Sequence, residues 1–573
     1  MSVQSNTSCF APTRILTTDI LAIAFLWCVS LTIVNPFGNF PLNDDWSYGL
    51  TVKHLIDKWE FRPTGWTSMP LITNALWGSL FCVPAGFSFN ALRLSTLTLS
   101  LVGIFGAYAL MRNVCQSRWL ACIVALTLGF NPVYYAMSNT FLTDVPFTAI
   151  MILAAIFFVR TLKTESTLDL LAGTAFAVAA TLSRQLGICV ALAFAVVFLL
   201  KRGITTANLA RAALPSALCI GALSGFQHWL AATGRLPALY YAKNADMLGV
   251  LLNPDWFLRV VPRNIYVTLL YLGLFLSPVL LFEVASLWAR QKGKAITIFI
   301  ASVGAVLALG RFLDGRTRLM PVLSFGILDK CGIGPFTLRD TFVVNNLIPA
   351  LPAGFWWVIT VVSVAGAALL ITTFGLGAIG FAQRVRPSKI NDSEAAAIFF
   401  LLSAMIYLLP LMIMPSSTSP MEDKYFVPLI PLLAGCIASV SSQLPRIDAK
   451  ISRFGVAMLL CTFGLFSICG TRDYFAWNRA RWEAVDDLMK SKPAKAGDID
   501  GGFEFNGLYL YDSEYRKSYT KSWWWVQGDT YVIAFRPFTG YRVIMEYNYH
   551  HWMPPYNGKV VVLEKNPVEA PGR

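Results

Sequence analysis

Long apolar runs, separated by short polar loops, dominate the sequence. The hydrocarbon core of a bilayer is about 30 Å thick, so a helix that crosses it needs roughly 20 mostly apolar residues. About thirteen runs approach or reach this length, which predicts a polytopic α-helical membrane protein. The predicted spans are 15–34, 91–111, 119–135, 145–159, 168–183, 186–200, 214–230, 265–288, 295–309, 353–381, 395–414, 425–440 and 454–467.

Composition supports the membrane interpretation. Of 573 residues, 56% are hydrophobic and 14% are charged, whereas a soluble domain has about 25% charged residues. The net charge of +14 would suggest a nucleic-acid partner in a soluble chain. Here the Lys and Arg residues lie in the short loops, so we interpret them as topology signals and head-group contacts. The cysteines lie mostly inside apolar runs without a CxxC pair, so we expect no disulfide framework, metal site or cofactor.

The stretch 71–87 decides which side of the membrane each loop faces. Arg14 precedes the first span, which predicts a cytoplasmic amino terminus and a first outer loop over 35–90. If 71–87 crossed the bilayer, every later basic loop would fall outside; if it lies on the outer surface, all of them fall inside. We therefore predict that 71–87, which is short and contains Pro84, lies on the outer surface. The amphipathic stretch 50–59 before it is predicted to be an interfacial helix.

The final hundred residues differ from the rest of the chain. An amphipathic helix is predicted over 474–490, and alternating aromatic and polar runs with Asp-Gly, Asn-Gly and Pro turn signals follow it. This pattern predicts a small α/β domain on the outer side. The expected division is a transmembrane domain over 1–470 and an outer domain over 471–573.

Four clusters of polar residues are predicted at the outer ends of the spans. They are Asp44-Asp45 in PLNDDWSY, Thr143-Asp144 in TFLTDVPF, Ser183-Arg184-Gln185 in TLSRQLGI, and Glu422-Asp423-Lys424-Tyr425 in MEDKYFVPLIPLL. Simpler interpretations stay open: Asp44 and Asp45 could only cap the following helix, and Arg184 and Lys424 could only extend towards water from span ends. Otherwise, adjacent carboxylates and cations at one membrane face form a candidate chemical centre.

The order of these motifs resembles the GT-C glycosyltransferases over roughly residues 15–445. The similarity is greatest to the branch that holds the protein O-mannosyltransferases, the aminoarabinose transferase of lipid A and bacterial lipopolysaccharide glycosyltransferases. It rests on the long first helix, the acidic pair, the interfacial helices, an outer Asp before a Pro, and a late basic-Tyr-x-x-Pro-x-x-Pro motif. The resemblance implies a sugar donor on a polyprenyl phosphate and catalysis at the outer face, without a nucleotide sugar.

The resemblance also implies roles for individual residues. Sugar transfer to a hydroxyl needs a general base, together with cations or hydrogen-bond donors at the departing phosphate. The implied catalytic residues are Asp44, Asp45 and Asp144, and the implied phosphate-binding residues are Arg184, Lys424 and Tyr425. Asp44 is the candidate base with Asp45 as its neighbour, although which of the two takes the proton stays open. Several relatives carry a basic residue where this chain has Thr67-Ser68-Met69-Pro70, so Arg62 or Lys53 is a candidate substitute.

The sequence thus predicts an inverting hexosyl- or pentosyltransferase of the bacterial inner membrane. It would move a sugar from a polyprenyl-phosphate donor to a glycan or glycolipid acceptor at the periplasmic face, with no nucleic-acid partner. Three alternatives remain: a lipid or glycan transporter, a protein O-glycosyltransferase, and a non-catalytic glycan-binding relative. A transporter would usually place ionisable residues near the middle of the membrane, whereas these groups gather at one face.

Overall fold

The structure, a computed structural model, describes residues 17–115, 117–288, 292–314, 319–323, 326–342, 348–384, 390–415, 420–442, 450–516, 521–522 and 524–567. Most of these residues are helical. The α-helices are α1 (Thr17–Val34), α2 (Asp45–Lys58), α3 (Ile72–Cys82), α4 (Phe89–Val114), α5 (Arg118–Gly129), α6 (Pro132–Ser138), α7 (Asp144–Thr164), α8 (Thr167–Ser183), α9 (Ile188–Arg202), α10 (Thr206–Ala232), α11 (Ala238–Leu252), α12 (Pro254–Phe275), α13 (Ser277–Trp288), α14 (Lys292–Asp314), α15 (Arg339–Phe342), α16 (Ala353–Arg384), α17 (Asp392–Met412), α18 (Leu429–Ser441), α19 (Lys450–Ser491) and α20 (Phe503–Leu510). The strands are β1 (Leu328–Asp329), β2 (Gly332–Ile333), β3 (Ile499–Asp500), β4 (Tyr531–Ala534), β5 (Tyr541–Trp552) and β6 (Pro555–Lys565).

The helices confirm a polytopic membrane protein. Within the described residues, 10 helices are long and apolar enough to cross a membrane, or up to 12 spans if each of two bent helix pairs counts as one. With the shorter apolar helix α8, these elements correspond one by one to the thirteen predicted spans. The bends are 61° between α5 and α6 and 76° between α12 and α13. At the first bend, the Asn131 side chain caps α6 and Pro132 opens it, which explains the break.

Helix α7 is the most important span for the site because its first residue is Asp144. In the most apolar 18-residue stretch of α7, 83% of the residues are buried. The helix packs between α4 and α8. Small residues permit a close approach to α4: a Cβ built at Gly103 would lie 3.1 Å from the Cβ of Ala149. The end of α7 that carries Asp144 is therefore held firmly relative to α4.

Basic loops gather at the end of the spans opposite Asp44. Ion pairs join neighbouring helices there: Arg118 with Asp19 at 2.6 Å, Arg160 with Asp169 at 3.0 Å, Arg202 with Glu165 at 2.7 Å, and Lys201 with Asp392. Arg160 lies 16 residues after Asp144 in α7, which separates the two ends by about 24 Å at 1.5 Å per residue. The loops predicted to be cytoplasmic thus include four that share one end.

Short helices lie at the end that carries the acidic pair. Helix α3 has only 11 residues, which is too short to cross a bilayer, as predicted for 71–87. Helix α2 covers the predicted amphipathic stretch 50–59. Helix α11 covers residues 238–252 and exposes Leu248 and Leu251. All three helices are placed to cover the ends of the spans.

Helix α19 joins the transmembrane region to the carboxyl-terminal domain without a break. It runs for 42 residues, or roughly 60 Å, and so contains both the last predicted span and the predicted amphipathic helix over 474–490. The sequence pattern predicted two separate elements here. The predicted domain boundary at 470 lies inside this helix, so the division into two domains stays a prediction.

A small mixed sheet follows α19, as the aromatic and polar alternation predicted. Its strand order is β3-β4-β6-β5; β3 and β4 are parallel, and the other pairs are antiparallel. Alternate residues of β4 and β6 pack as an apolar cluster that includes Val532, Val561 and Leu563. Helix α20 connects β3 to the following segment and packs against α2. The carboxyl-terminal domain therefore contacts the part of the chain that follows the acidic pair.

Candidate active site

The acidic loop, defined as residues 35–45, is fixed by Arg93 of α4. The Arg93 guanidinium donates hydrogen bonds of 2.8 to 3.0 Å to the carbonyl oxygens of Pro36, Gly38, Phe40 and Asn139. Only 2% of Arg93 is exposed, so the loop closes around a buried cation. Arg93 was not selected from the sequence, although a charged residue inside the apolar run 91–111 is a recognisable signal.

The carboxylates of Asp44 and Asp45 point in different directions. Asp45 Oδ1 accepts a 2.7 Å bond from the Phe141 backbone N–H, and Oδ2 accepts a 3.3 Å bond from the Leu42 N–H. Burial raises the pKa of Asp45 to about 7, and the charge of Arg93 offsets part of this effect. With 1% exposure and both oxygens bonded to backbone, Asp45 holds the acidic loop to the segment before α7.

Asp44 is instead directed towards other charged side chains. It occupies the N-cap position of α2 but makes no side-chain capping bond, so helix capping does not account for it. Its Oδ1 accepts a 2.8 Å bond from the Trp66 indole N–H, and its Oδ2 lies 3.9 Å from Lys424 Nζ. Burial raises the pKa of Asp44, while the charge of Lys424 opposes that rise. Asp44 is therefore an oriented carboxylate beside a cation.

Lys424 links Asp44 to the late motif over 422–425. Its Nζ lies 2.7 Å from Glu422 Oε2, and the Tyr425 hydroxyl donates to Glu422 Oε1 over 3.3 Å. Asp423 has a different role, because its carboxylate accepts the backbone N–H groups of Ile327 and Leu328 at 2.8 and 2.7 Å. The motif thus anchors the outer segment, defined as residues 326–342, through the Asp423 carboxylate and holds Lys424 through the Glu422 carboxylate.

Arg184 extends the cluster to α7. It lies between α8 and α9, and its guanidinium pairs with the Asp144 carboxylate and donates to Thr143 Oγ1 over 3.2 Å. The same guanidinium lies over the Tyr425 ring, 5.2 Å from its centroid. Contacts therefore run continuously from Asp44 through Lys424 and Tyr425 to Arg184 and Asp144.

The structure thus brings together five of the six predicted site residues, and Asp45 lies behind Asp44 in the loop. Arg184 and Lys424 are 8% and 5% exposed, so neither is a charge that merely extends into water. The suggested substitutes do not join the cluster: Lys53 is exposed and pairs with Asp57 at 2.6 Å, and Arg62 is exposed.

Two further residues of the cluster were not assigned from the sequence. Glu422 was noted only as part of its motif. Lys243 lies in α11, where burial lowers its pKa and the charges of Glu422, Lys424, Arg184 and Asp44 all act on it. A lysine in a short amphipathic helix gives no sequence signal that separates a site residue from a surface one.

The helices and the cluster together define a multi-pass membrane protein with a charged site at one end of its spans. Residues 70–230 match a family model described as dolichyl-phosphate-mannose-protein mannosyltransferase. This match contains Asp144 and Arg184 and lies within the region of the predicted resemblance. It confirms the resemblance to GT-C glycosyltransferases of the O-mannosyltransferase branch and supports a glycosyltransferase.

Three solved structures are also similar to the chain. ArnT from Cupriavidus metallidurans bound to undecaprenyl phosphate is 13% identical over 85% of this chain and 83% of its own, with a TM-score of 0.37. Its apo state has the same identity and coverage, with a TM-score of 0.35. The S. cerevisiae protein O-mannosyltransferase Pmt1-Pmt2 complex bound to the sugar donor is 15% identical over 38% of this chain and 33% of its own, with a TM-score of 0.30. No curated protein sequence matches the chain significantly.

Proposed function

We propose that the protein is an inverting glycosyltransferase that moves a sugar from a polyprenyl-phosphate donor to a glycan or glycolipid acceptor. The observation that carries this proposal is the connected cluster of Asp44, Lys424, Tyr425, Arg184 and Asp144, in which an oriented carboxylate lies beside one buried cation and a second buried cation follows through the Tyr425 ring. A base beside a cationic site is the arrangement that displacement of a phosphate from a sugar requires.

Asp44 serves as the general base. In a single displacement it takes the proton of an acceptor hydroxyl, and that oxygen forms the new bond to the anomeric carbon. The bond between the anomeric carbon and the phosphate oxygen breaks, and its electron pair leaves with the polyprenyl phosphate. The Trp66 N–H holds Asp44 Oδ1, which restricts the direction of the carboxylate. Burial raises the pKa of Asp44 towards neutral pH, and a general base is most effective when its pKa lies near the operating pH.

The cations bind the phosphate of the donor. Arg184 and Lys424 both lie near Tyr425, with their charged groups 5.2 and 5.9 Å from its ring centroid. Each cation is held by a carboxylate, Asp144 for Arg184 and Glu422 for Lys424. An arginine has five N–H donors, so Arg184 keeps donors for a phosphate while paired. Asp144 then acts by holding Arg184 instead of contacting the acceptor.

The distribution of basic loops supports a periplasmic site. Four basic loops share the end of the spans opposite the cluster, and such loops face the cytoplasm under the positive-inside rule. The cluster then faces the periplasm of a bacterial inner membrane. There the donor sugar is supplied on a lipid carrier within the same bilayer.

Reconstitution of the purified full-length protein tests the proposal. Vesicles of phosphatidylethanolamine and phosphatidylglycerol would receive undecaprenyl-phosphate-linked hexoses or pentoses, with lipid A or an oligosaccharide as acceptor probes. Transfer of labelled sugar, with release of undecaprenyl phosphate, is the expected result. Movement of the labelled donor across the bilayer without bond cleavage would instead identify a transporter.

A protein O-glycosyltransferase is the second candidate. The observation that favours it is the family match over residues 70–230, whose description names a protein as the acceptor. A peptide rich in Ser and Thr, added as an alternative acceptor in the same vesicles, distinguishes the two. Transfer to the peptide and not to the glycans would replace the glycan acceptor in the proposal.

A further inference from the structure

A carboxylate of the carboxyl-terminal domain reaches the acidic loop. Glu504 of α20 is fully buried, and its Oε1 accepts a 3.1 Å hydrogen bond from the backbone N–H of Asn43. Its Oε2 accepts 2.6 Å bonds from the Thr337 hydroxyl and the Arg481 guanidinium. One side chain thus joins the acidic loop, the outer segment before α15, and α19.

The Asn43 backbone explains why this contact matters. Asn43 has a φ of 54°, in the left-handed region that non-glycine residues seldom adopt. The chain turns at Asn43, immediately before Asp44. The orientation of the Asn43 peptide therefore sets the direction in which the Asp44 side chain points. A charged acceptor on the Asn43 N–H stabilises this turn more strongly than a neutral acceptor would.

Aromatic side chains of the same domain hold the other partner of Asp44. The Trp66 ring, whose N–H bonds Asp44, lies 5.3 Å from the Trp525 ring and 5.9 Å from the Phe503 ring. Trp46 packs against Trp525 at 5.2 Å, and Gly507 of α20 faces the Trp46 indole so closely that a Cβ would clash. These rings form an interdomain core, because Trp46, Trp525 and Phe503 are all buried.

The described tryptophans of the run at 523–525 therefore do not form an open platform for sugars. Trp525 is 6% exposed, and Trp524 packs on Phe503 with ring centroids 5.4 Å apart. Trp523 lies outside the described residues. The contacts of Trp524 and Trp525 thus favour core packing over sugar binding.

We propose that Glu504 is a positioning residue for Asp44, and that the carboxyl-terminal domain thereby contributes to the active site. The inference rests on the proposed function, because it concerns the base of that reaction. Glu504 acts through the Asn43 peptide, while the aromatic core acts through Trp66. Within the described part of the chain, the hydrogen bonds of Glu504 go to Asn43, Thr337 and Arg481 and not to Arg184 or Lys424. Loss of Glu504 is therefore expected to affect catalysis and not donor binding.

Hydrogen exchange of the acidic loop tests the positioning directly, without a substrate. In full-length protein in detergent, Glu504→Ala is expected to speed exchange of the Asn43 amide roughly tenfold to a hundredfold, as for loss of a bond to a charged acceptor. Thr337→Val is the matched control, because it removes another partner of Glu504 and leaves the Asn43 bond in place. Unchanged Asn43 exchange in a folded Glu504→Ala protein overturns the proposal.

Glu504→Gln provides the second variant in case the alanine protein fails to fold. The amide keeps the volume and an acceptor oxygen but loses the charge, so an intermediate rate of Asn43 exchange is expected. Exchange that rises equally throughout residues 499–565 would mean that the domain has loosened as a whole, which also overturns the proposal.

Kinetics with the donor found for the wild-type protein tests the link to catalysis. Glu504→Ala is expected to lower kcat about tenfold or more and to leave the donor KM within twofold, because a small displacement of a catalytic group is costly. A matched rise in KM with unchanged kcat contradicts positioning of the base. If the wild-type protein transfers no sugar from any donor, the proposed function fails, and the exchange measurement still decides whether Glu504 holds the loop.

Discussion

The two adjacent carboxylates allow a sharp test, because the same substitution should have opposite consequences at the two positions. Asp44→Asn keeps an oxygen for the Trp66 N–H and nearly the same volume, but removes the base. General-base catalysis contributes typically 10²–10⁴-fold, so transfer is expected to fall by roughly that factor. Sugar transfer in vesicles, compared at equal amounts of inserted protein, measures the loss.

The structure also predicts that Asp44→Asn does not destabilise the protein. An ion pair at 3.9 Å is worth about 4 kcal/mol at an effective dielectric constant of 20. Burial nevertheless outweighs the attraction to Lys424, because the pKa of Asp44 is raised and not lowered. The ionised carboxylate therefore gives no net stabilisation, and a neutral amide is tolerated. Thermal unfolding in detergent should be close to that of the wild-type protein.

Asp45→Asn should behave in the opposite way. Both oxygens of Asp45 accept backbone N–H groups, and an amide can accept only one of them. The N–H of Phe141 or Leu42 would be left buried without a partner, which costs about 1–3 kcal/mol. Below about pH 4, where the wild-type carboxyl is protonated and its oxygens still accept both groups, we expect a lower unfolding temperature. At neutral pH we expect only a partial loss of transfer. Near-normal transfer by Asp44→Asn, or complete loss confined to Asp45→Asn, would refute the assignment of Asp44 as the base.

Three further predictions concern the surroundings of Asp44. Lys424→Gln is expected to weaken binding of undecaprenyl phosphate roughly tenfold by loss of a charge-assisted bond. The exposed control Lys53→Gln should leave this affinity unchanged. Equal affinities of the two variants would contradict a phosphate site at Lys424. Trp66→Phe keeps an aromatic ring, smaller than the indole, but removes the donor to Asp44, so transfer should fall roughly tenfold with unchanged donor binding. A fall in donor binding alone would argue against orientation of the base. The pKa of Asp45 is raised from 3.8 to about 7 in the folded protein, so the folded protein binds this proton more tightly than the unfolded chain does. The resulting contribution to stability is present below pH 4 and is lost as the pH rises to about 7. At 1.36 kcal/mol per pKa unit this is about 4 kcal/mol, and the fall in unfolding temperature over this range should be smaller in Asp45→Asn; an identical pH dependence would contradict it.

The spans could be predicted from the sequence because a helix that crosses the bilayer needs about 20 successive, mostly apolar residues. Every predicted span has a helical counterpart, and the stretch 71–87 forms a short helix as its composition indicated. The continuous helix α19 was divided incorrectly because the polar residues after Ser467 suggested an exit from the membrane. A helix can continue through that exit, and here Asp473 bonds the backbone of Trp552 and Met553. Such stabilisation comes from strands about 80 residues later and leaves no local signal.

The contrast between local sequence signals and contacts with distant residues also separates the site residues that the sequence predicts from those that it does not. Asp144, Arg184 and Lys424 are recognisable because a charge at the end of an apolar run needs a partner, and the structure pairs each of them. The difference between Asp44 and Asp45 is not local, since it depends on which carboxylate meets the N–H of Phe141 and which meets Trp66 and Lys424. Glu504 lies 461 positions from Asn43, in a domain whose sequence indicates only its own fold. The charged residues Asp144, Arg184 and Lys424 at the ends of apolar runs are thus visible in the sequence, whereas Lys243 and the residues that orient Asp44 are determined by tertiary contacts.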